Sequence, residues 1–252
     1  MIISDHVARY AVRLGDDSLI LGHRLSEWIS HAPFLEEDIA LGNVALDFVG
    51  RARLFYQYAA ERLEGDACED KLAYGRDTQG FSNLLICELP RGDFAFTMCR
   101  QFLYDAFSLP LMQNLCGSSD ERLAAIAAKA EKESRYHLRR SQEWMLRLGG
   151  GTEESHRRLQ VALEELWAYT HEMFQSDSLV SALVHDGVAV DPSDWRDSWH
   201  AMVAETFTEA NLDLPVSSIT QSGGRDGVHS AHMEPLLQEL QYMQRTYPGL
   251  KW

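Results

Sequence analysis

A few charged side chains interrupt the apolar faces of the predicted helices, and their types are those that could do chemistry. Glu133 and His137 lie on the otherwise apolar stripe of a helix predicted over about residues 119–148. Asp105, Asp47 and Asp17 interrupt three other predicted helices in the same way. Inward carboxylates and imidazoles on the helices of a bundle are the groups that hold a pair of iron or manganese ions. The pattern therefore points to a di-metal core position.

The spacing nevertheless falls short of a complete ligand set. Metal-binding bundles use Glu-x-x-His on two helices, but Gly50 stands three residues after Asp47 and Tyr136 three residues after Glu133. His137 comes four residues after Glu133, which rotates it by about 100° around the helix relative to the i+3 position. Aspartate is also one methylene shorter than glutamate. We interpret Asp17, Asp47, Asp105, Glu133 and His137 as a vestigial set, and we predict no catalytic, cofactor-binding or metal-binding residue in this chain.

Three interpretations of these positions remain open. The carboxylates could pair with arginines nearby in sequence, in a polar core network that fixes the register of the helices; those arginines are Arg51, Arg53, Arg100, Arg135 and Arg139. The five positions could instead form an unusual oxygen-rich metal site, which would make the chain an oxidoreductase in its own right. A stand-alone helical binding protein is the third interpretation.

Composition excludes other classes of function. The chain has 252 residues, a formal net charge of -15 and a pI of about 5.0, which disfavours nucleic acid and anionic lipid as partners. No apolar run reaches the roughly 18–20 residues of a membrane span, and the N-terminal segment meets charge too early for a secretory signal. The four cysteines show no CxxC pair, and we expect free thiols in a cytoplasmic protein. SGGRDG lacks the lysine of a phosphate-binding loop and is interpreted as a plain glycine loop, next to a junction bracketed by His229 and His232.

Apolar residues recur at helical spacing and predict an all-α chain. The four long core helices are predicted over about residues 5–30, 35–64, 93–116 and 119–148, with a long connection over 66–90 and a capping box at Ser118 and Glu121. Further helices are predicted over about 153–175, from Pro192 to near Pro215, and over 233–245. Four long helices with one long central crossover form a ferritin-like bundle. We predict a single ferritin-like domain over residues 1–252, with core helices over about 5–148 and accessory helices over about 153–246.

Long segments of the chain resemble one known family. They are HAPFLEEDIALGNVALDFVGRAR, FSNLLICELPRGDFAFTMCRQFLYDAF, KAEKESRYHLRRSQEWMLRLGGGT, GVAVDP and GGRDGVH followed by LQYMQRTYPG. In content and order they are similar, nearly from end to end, to the family of C-type subunits of phenylacetyl-CoA epoxidase.

The resemblance implies a function that the residues alone do not give. It implies a cytoplasmic bacterial multicomponent monooxygenase in phenylacetate catabolism, which uses O2 and electrons from a reductase to epoxidise the aromatic ring of phenylacetyl-CoA. A related catalytic subunit would hold the di-iron centre. This chain would pair with that subunit as a non-catalytic structural partner in a hetero-oligomer, with self-association left open and no cofactor of its own.

Overall fold

The computed structural model describes residues 3–63, 65–216 and 219–250, and none of these residues lies in a β-strand. The all-α, ferritin-like class predicted from the sequence is confirmed. In chain order, the α-helices are α1 (His6–Ser26), α2 (Leu35–Arg62), α3 (Glu69–Tyr74), α4 (Leu85–Glu88), α5 (Phe94–Leu115), α6 (Glu121–Gly149), α7 (Glu153–Leu166), α8 (Ser178–His185), α9 (Arg196–Glu209), α10 (Met233–Leu240) and α11 (Tyr242–Thr246). Within the described ranges, every helix is too short or too polar to traverse a lipid bilayer.

Contacts divide the chain into two compact units. Unit 1 comprises the described residues of Met1–Pro90 and Ser222–Trp252, and unit 2 those of Arg91–Gln221. Unit 1 is therefore discontinuous in sequence, because its last part follows the whole of unit 2. The single domain over residues 1–252 stays a prediction.

The core of unit 1 is a hairpin of α1 and α2. The Asp5 side chain caps α1 by accepting a 2.8 Å hydrogen bond from the amide of Ala8, and it also forms a 2.9 Å ion pair with Arg62 at the end of α2. Because this pair joins the start of one helix to the end of the next, the two helices run antiparallel. Gly15 lets them approach closely, since a Cβ there would lie 2.6 Å from the ring of Tyr56. The predicted end of the second helix at Glu64 lies outside the described residues.

The remaining parts of unit 1 pack around this hairpin. The predicted connection over 66–90 contains local helix as expected, in α3, in a 3₁₀ turn at Thr78–Gly80 and in α4. The single helix predicted over 233–245 is instead divided into α10 and α11 at Gln241. This side chain is buried and donates a 2.9 Å hydrogen bond to the carbonyl of Arg76, which fixes the break against the connection.

The core of unit 2 is a second hairpin, of α5 and α6. Asp93 caps α5 by accepting a 2.9 Å bond from the amide of Phe96. The predicted capping box at Ser118 and Glu121 is wrong, because Asp120 caps α6 and the hydroxyl of Ser118 instead donates to the carbonyl of Val188 at 2.6 Å. Aspartate is a strong capping residue, and it lies directly before the first helical position.

Two other predictions for unit 2 are corrected. The helix predicted over 153–175 ends as α7 at Leu166 and continues as 3₁₀ turns, where the hydroxyl of Thr170 bonds the carbonyl of Trp167 at 2.8 Å and tightens the chain. The sequence pattern also failed to indicate α8, which Asp177 caps by accepting from the amide of Val180 at 2.9 Å. The helix expected from Pro192 opens as a 3₁₀ turn, Pro192–Trp195, and continues as α9.

Candidate functional site

The five core positions identified in the sequence are distributed over both units. Asp17 lies in α1 and Asp47 in α2, whereas Asp105 lies in α5, and Glu133 and His137 lie in α6. Asp17, Asp105 and His137 are buried, while Asp47 and Glu133 are partly exposed. The buried positions are those whose charge or polarity the fold must compensate.

Asp17 is compensated by an arginine from the far end of the chain. Both terminal nitrogens of Arg225 donate to its carboxylate, at 2.9 Å to Oδ1 and 2.8 Å to Oδ2, and the amide of Leu84 donates to Oδ1 at 2.7 Å. Arg225 also donates to the carbonyl of Ser82 at 2.7 Å. Burial raises the pKa of the Asp17 carboxyl above its ordinary value, although the guanidinium of Arg225 opposes this shift.

The neighbouring Asp16 is compensated in a similar way from the connection. Its carboxylate pairs with Arg76, accepts a 2.6 Å hydrogen bond from the hydroxyl of Tyr56 and accepts a 2.8 Å bond from the amide of Ser82. The guanidinium of Arg76 lies 4.0 Å from the ring centroid of Phe81. Burial raises the pKa of Tyr56 well above its ordinary value, and the charge of Asp16 raises it further, so the phenol stays protonated and donates.

A third buried acid, Glu88, pairs with a histidine. Its Oε2 lies 2.7 Å from Nδ1 of His229, and it also accepts from the side-chain amide of Asn83 at 3.0 Å and from the backbone amide of Ser230. Burial alone would raise the pKa of Glu88, but these donors outweigh it and hold the pKa below its ordinary value. Burial alone would lower the pKa of His229, but the hydrogen bond and charge of Glu88 raise it. The imidazolium is thus stabilised.

These three pairs form one buried cluster in unit 1, which we call the acid–base network; it consists of Asp16, Asp17, Arg76, Glu88, Arg225 and His229. Its acids lie on α1 and α4, and its bases lie in the connection and in the C-terminal segment after residue 222. Buried pairs add little net stability over an apolar core, but removing one partner costs about 3–5 kcal/mol. The network therefore ties the C-terminal segment and the connection to the α1–α2 hairpin.

Unit 2 has a polar cluster built around hydroxyl and amide groups. The hydroxyl of Ser141 lies 2.9 Å from Oδ2 of Asp105 and 3.0 Å from the carbonyl of His137. The amide of Gln101 donates to Oδ1 of Asp105 at 3.5 Å. These contacts join α5 to α6 across the hairpin. At the margin of this core, Glu133 accepts a 2.8 Å bond from Lys129 and is 16% exposed.

The contacts around the buried acids do not fit a metal centre. Both oxygens of Asp17 are engaged by Arg225, so a metal ion there would have to displace the guanidinium. Among residues 3–63, 65–216 and 219–250, no group of three or more His, Cys, Asp or Glu side chains is arranged to hold a metal ion. The arrangement can hold helices together, and we assign no chemical step to it.

Sequence reasoning found the buried acid Asp17 but not its partner. The expectation of arginines nearby in sequence was wrong for Asp17, because Arg225 is 208 residues away. Arg53 and Arg135, two of the expected partners, pair with Glu69 and Glu131. Asp16, Arg76 and Glu88 were missed, although two adjacent acids near the middle of an otherwise apolar helix were a signal that distant bases must meet them.

A pocket in unit 2 is lined mainly by aromatic rings. It has a volume of about 230 Å³, and its lining includes Trp167, Phe174, Arg196, Trp199 and His200. Most small-molecule sites occupy about 300–1,000 Å³. The rings of Trp167 and Trp199 lie 5.8 Å apart, so they serve first as packing for the helices that follow α6.

Comparison with known proteins agrees with the resemblance seen in the sequence. A family model described as phenylacetic acid catabolic protein matches residues 3–252. The chain is also 47% identical over 248 residues to the C-type subunit of 1,2-phenylacetyl-CoA epoxidase from Escherichia coli (strain K12), an alignment that covers 98% of this chain and 100% of that protein. The chain therefore belongs to the phenylacetic acid catabolic protein family.

Proposed function

We propose that this chain is a structural, non-catalytic subunit of a bacterial multicomponent di-iron monooxygenase that epoxidises the ring of phenylacetyl-CoA. The end-to-end similarity to a protein named as one subunit of such an epoxidase supports the substrate and the complex. In this proposal the chain works in the cytoplasm, and a related ferritin-like subunit holds the iron and carries out the chemistry. The present chain stabilises that subunit by packing against it.

The observation that carries the structural role is the compensation of the buried acids by bases of the same chain. In a metal-binding bundle the inward carboxylates are neutralised by metal ions, which also cross-link the helices. Here Arg225 neutralises Asp17 through two hydrogen bonds and links α1 to the C-terminal segment. The bundle can thus keep inward acids and still fold without a metal.

Metal analysis of the purified chain tests this proposal. We would express the chain alone, and also together with the catalytic subunit of a phenylacetyl-CoA epoxidase, and measure iron content and the mass of each species in solution. The expected result is a chain without stoichiometric iron that co-elutes with an iron-loaded partner. About two iron ions per isolated chain, the content of a di-metal bundle, would overturn the proposal in favour of an oxygen-activating enzyme.

A further inference from the structure

Helix α2 carries a second apolar face on its outer side. Along it lie Leu35, Ile39, Leu46 and Val49, which are 71%, 55%, 69% and 36% exposed. Their spacings of four, seven and three residues place them on one side of a helix. We call this surface the outer face of α2.

The opposite side of α2 already packs in the core of unit 1. Its buried apolar residues include Leu41, Val44, Phe48, Ala52 and Phe55. A surface helix needs only one apolar stripe, and a contiguous exposed apolar patch marks an interaction site more often than scattered single residues do. From Leu35 to Val49 the outer face spans about 20 Å of helix at 1.5 Å per residue.

Two glycines lie along the same side and leave it open to close approach. A Cβ added at Gly50 would meet no atom within 4 Å, and one at Gly42 would meet only a side-chain carbon of Ile29 at 4.0 Å. Neither glycine is therefore needed for packing within the chain. Without side chains at these positions, an incoming helix could pack at the short end of the usual 8–10 Å separation between helix axes.

The charges around the outer face indicate the kind of partner. Residues 26–50 include Glu27, Glu36, Glu37, Asp38 and Asp47 but no lysine or arginine. If two copies of this chain met through this face with α2 centred on α2, these acids would face one another and repel. A partner whose apolar helix is flanked by lysine or arginine would be attracted instead.

We infer that the outer face of α2 is the docking surface for the related catalytic subunit, which presents an apolar helix with a basic rim. This inference rests on the proposed function and adds to it the face that meets the partner and the charge of the partner surface. Apolar residues at the centre supply the affinity, and the acidic rim supplies orientation and salt dependence.

A leucine placed at Gly50 tests the apolar part of the interface. Because the added side chain meets nothing within the chain and leucine favours helix more than glycine does, the Gly50→Leu variant should keep or raise the melting temperature. Its bulk should still weaken binding to the catalytic subunit by about tenfold or more. The matched control is Val161→Leu, a change at a half-exposed position of α7, which should leave binding unaltered.

A charge reversal tests the acidic rim. Glu36 lies in the first turn of α2 and Glu153 in the first turn of α7, so Glu36→Lys and Glu153→Lys perturb a helix N-terminus equally. Only Glu36→Lys should slow association with the catalytic subunit and reduce the dependence of affinity on salt.

The outcomes separate this inference from the proposed function. Weak binding by Gly50→Leu and Glu36→Lys, with normal binding by both controls, supports the docking surface. If both variants bind the catalytic subunit as tightly as the unaltered chain does, the outer face is not the interface, while the structural role stands. Homodimerisation of the unaltered chain that Gly50→Leu abolishes would overturn the inference in favour of a second copy. Failure of the unaltered chain to bind the catalytic subunit would remove both proposals.

Discussion

At the scale of single residues, the chain keeps buried acids and supplies each with a base. Asp17 is 2% exposed and its partner Arg225 is 21% exposed, so their contact is largely shielded from solvent. The surface pair of Arg157 and Glu154 has a similarly short distance, 2.9 Å, but both side chains are more than half exposed. Desolvation of the acid, more than distance, decides which arginine matters.

Replacing Arg225 by alanine should therefore destabilise the protein by about 3 kcal/mol, because it leaves the carboxylate of Asp17 buried without a cation. The measurement is urea unfolding at neutral pH. Adding Asp17→Asn to Arg225→Ala should recover part of the loss, since the uncompensated charge is then gone. Arg157→Ala is the control and should change stability by less than about 1 kcal/mol. An equal loss in both arginine variants would contradict the argument.

The pair of Glu88 and His229 should make stability depend on pH. The folded pKa of His229 lies above its ordinary 6.5, so its contribution is complete below that pH and is lost as pH rises through the folded value. The folded pKa of Glu88 lies below its ordinary 4.5, so its contribution is complete above that pH and is lost as pH falls through the folded value. The pair should contribute most between pH 4.5 and 6.5.

Comparing unfolding of His229→Gln with the unaltered chain across pH measures this directly. The stability difference should be largest inside that window and should shrink as pH rises above it. His31→Gln, which changes an exposed histidine, serves as control. A difference that grows as pH rises above 6.5 would show that the imidazole acts in its neutral form.

At the scale of elements, two glycines of the α1–α2 hairpin have opposite surroundings. An added Cβ at Gly15 would lie 2.6 Å from the buried ring of Tyr56, whose hydroxyl is held by Asp16, whereas at Gly50 it would meet nothing within 4 Å. Gly15→Ala should lower stability by about 1–3 kcal/mol through overpacking. Gly50→Ala should raise it by up to about 1 kcal/mol, because alanine favours helix. Thermal unfolding of the two variants checks both signs, and a gain at Gly15 would mean that the hairpin is looser than its contacts indicate.

The elements also separate what could be predicted from what could not. The long helices were predictable because their apolar residues repeat at helical spacing over several turns. The end of α7 and the start of α8 were not, because local hydrogen bonds of Thr170 and Asp177 decide them. Asp17 was identified from its inward position, but Arg225 lies in a glycine-rich loop whose sequence gives no sign of a contact 208 residues away.

At the scale of the whole molecule, a chain that neutralises its acids internally should be indifferent to metal. A ligand that binds only the folded state raises the melting temperature, by RT ln(1 + [L]/Kd) in free energy. We expect neither iron(II) nor manganese(II) nor a chelator to shift the melting temperature of the isolated chain, and we expect the catalytic subunit to raise it. Differential scanning fluorimetry checks this, with the iron-loaded catalytic subunit as positive control. A chelator-induced fall for the isolated chain would favour the metal-binding interpretation.

The discontinuity of unit 1 has a consequence for synthesis on the ribosome. Asp16, Asp17 and Glu88 emerge early, but Arg225 and His229 follow only after all of unit 2 has been translated. At translation rates of about 5–20 residues per second, the early acids wait for about 10–30 s without their bases. During that interval the nascent α1–α2 hairpin cannot bury them cheaply. A chain interrupted before residue 225 never can, so the network acts as a check that only full-length copies reach the native state.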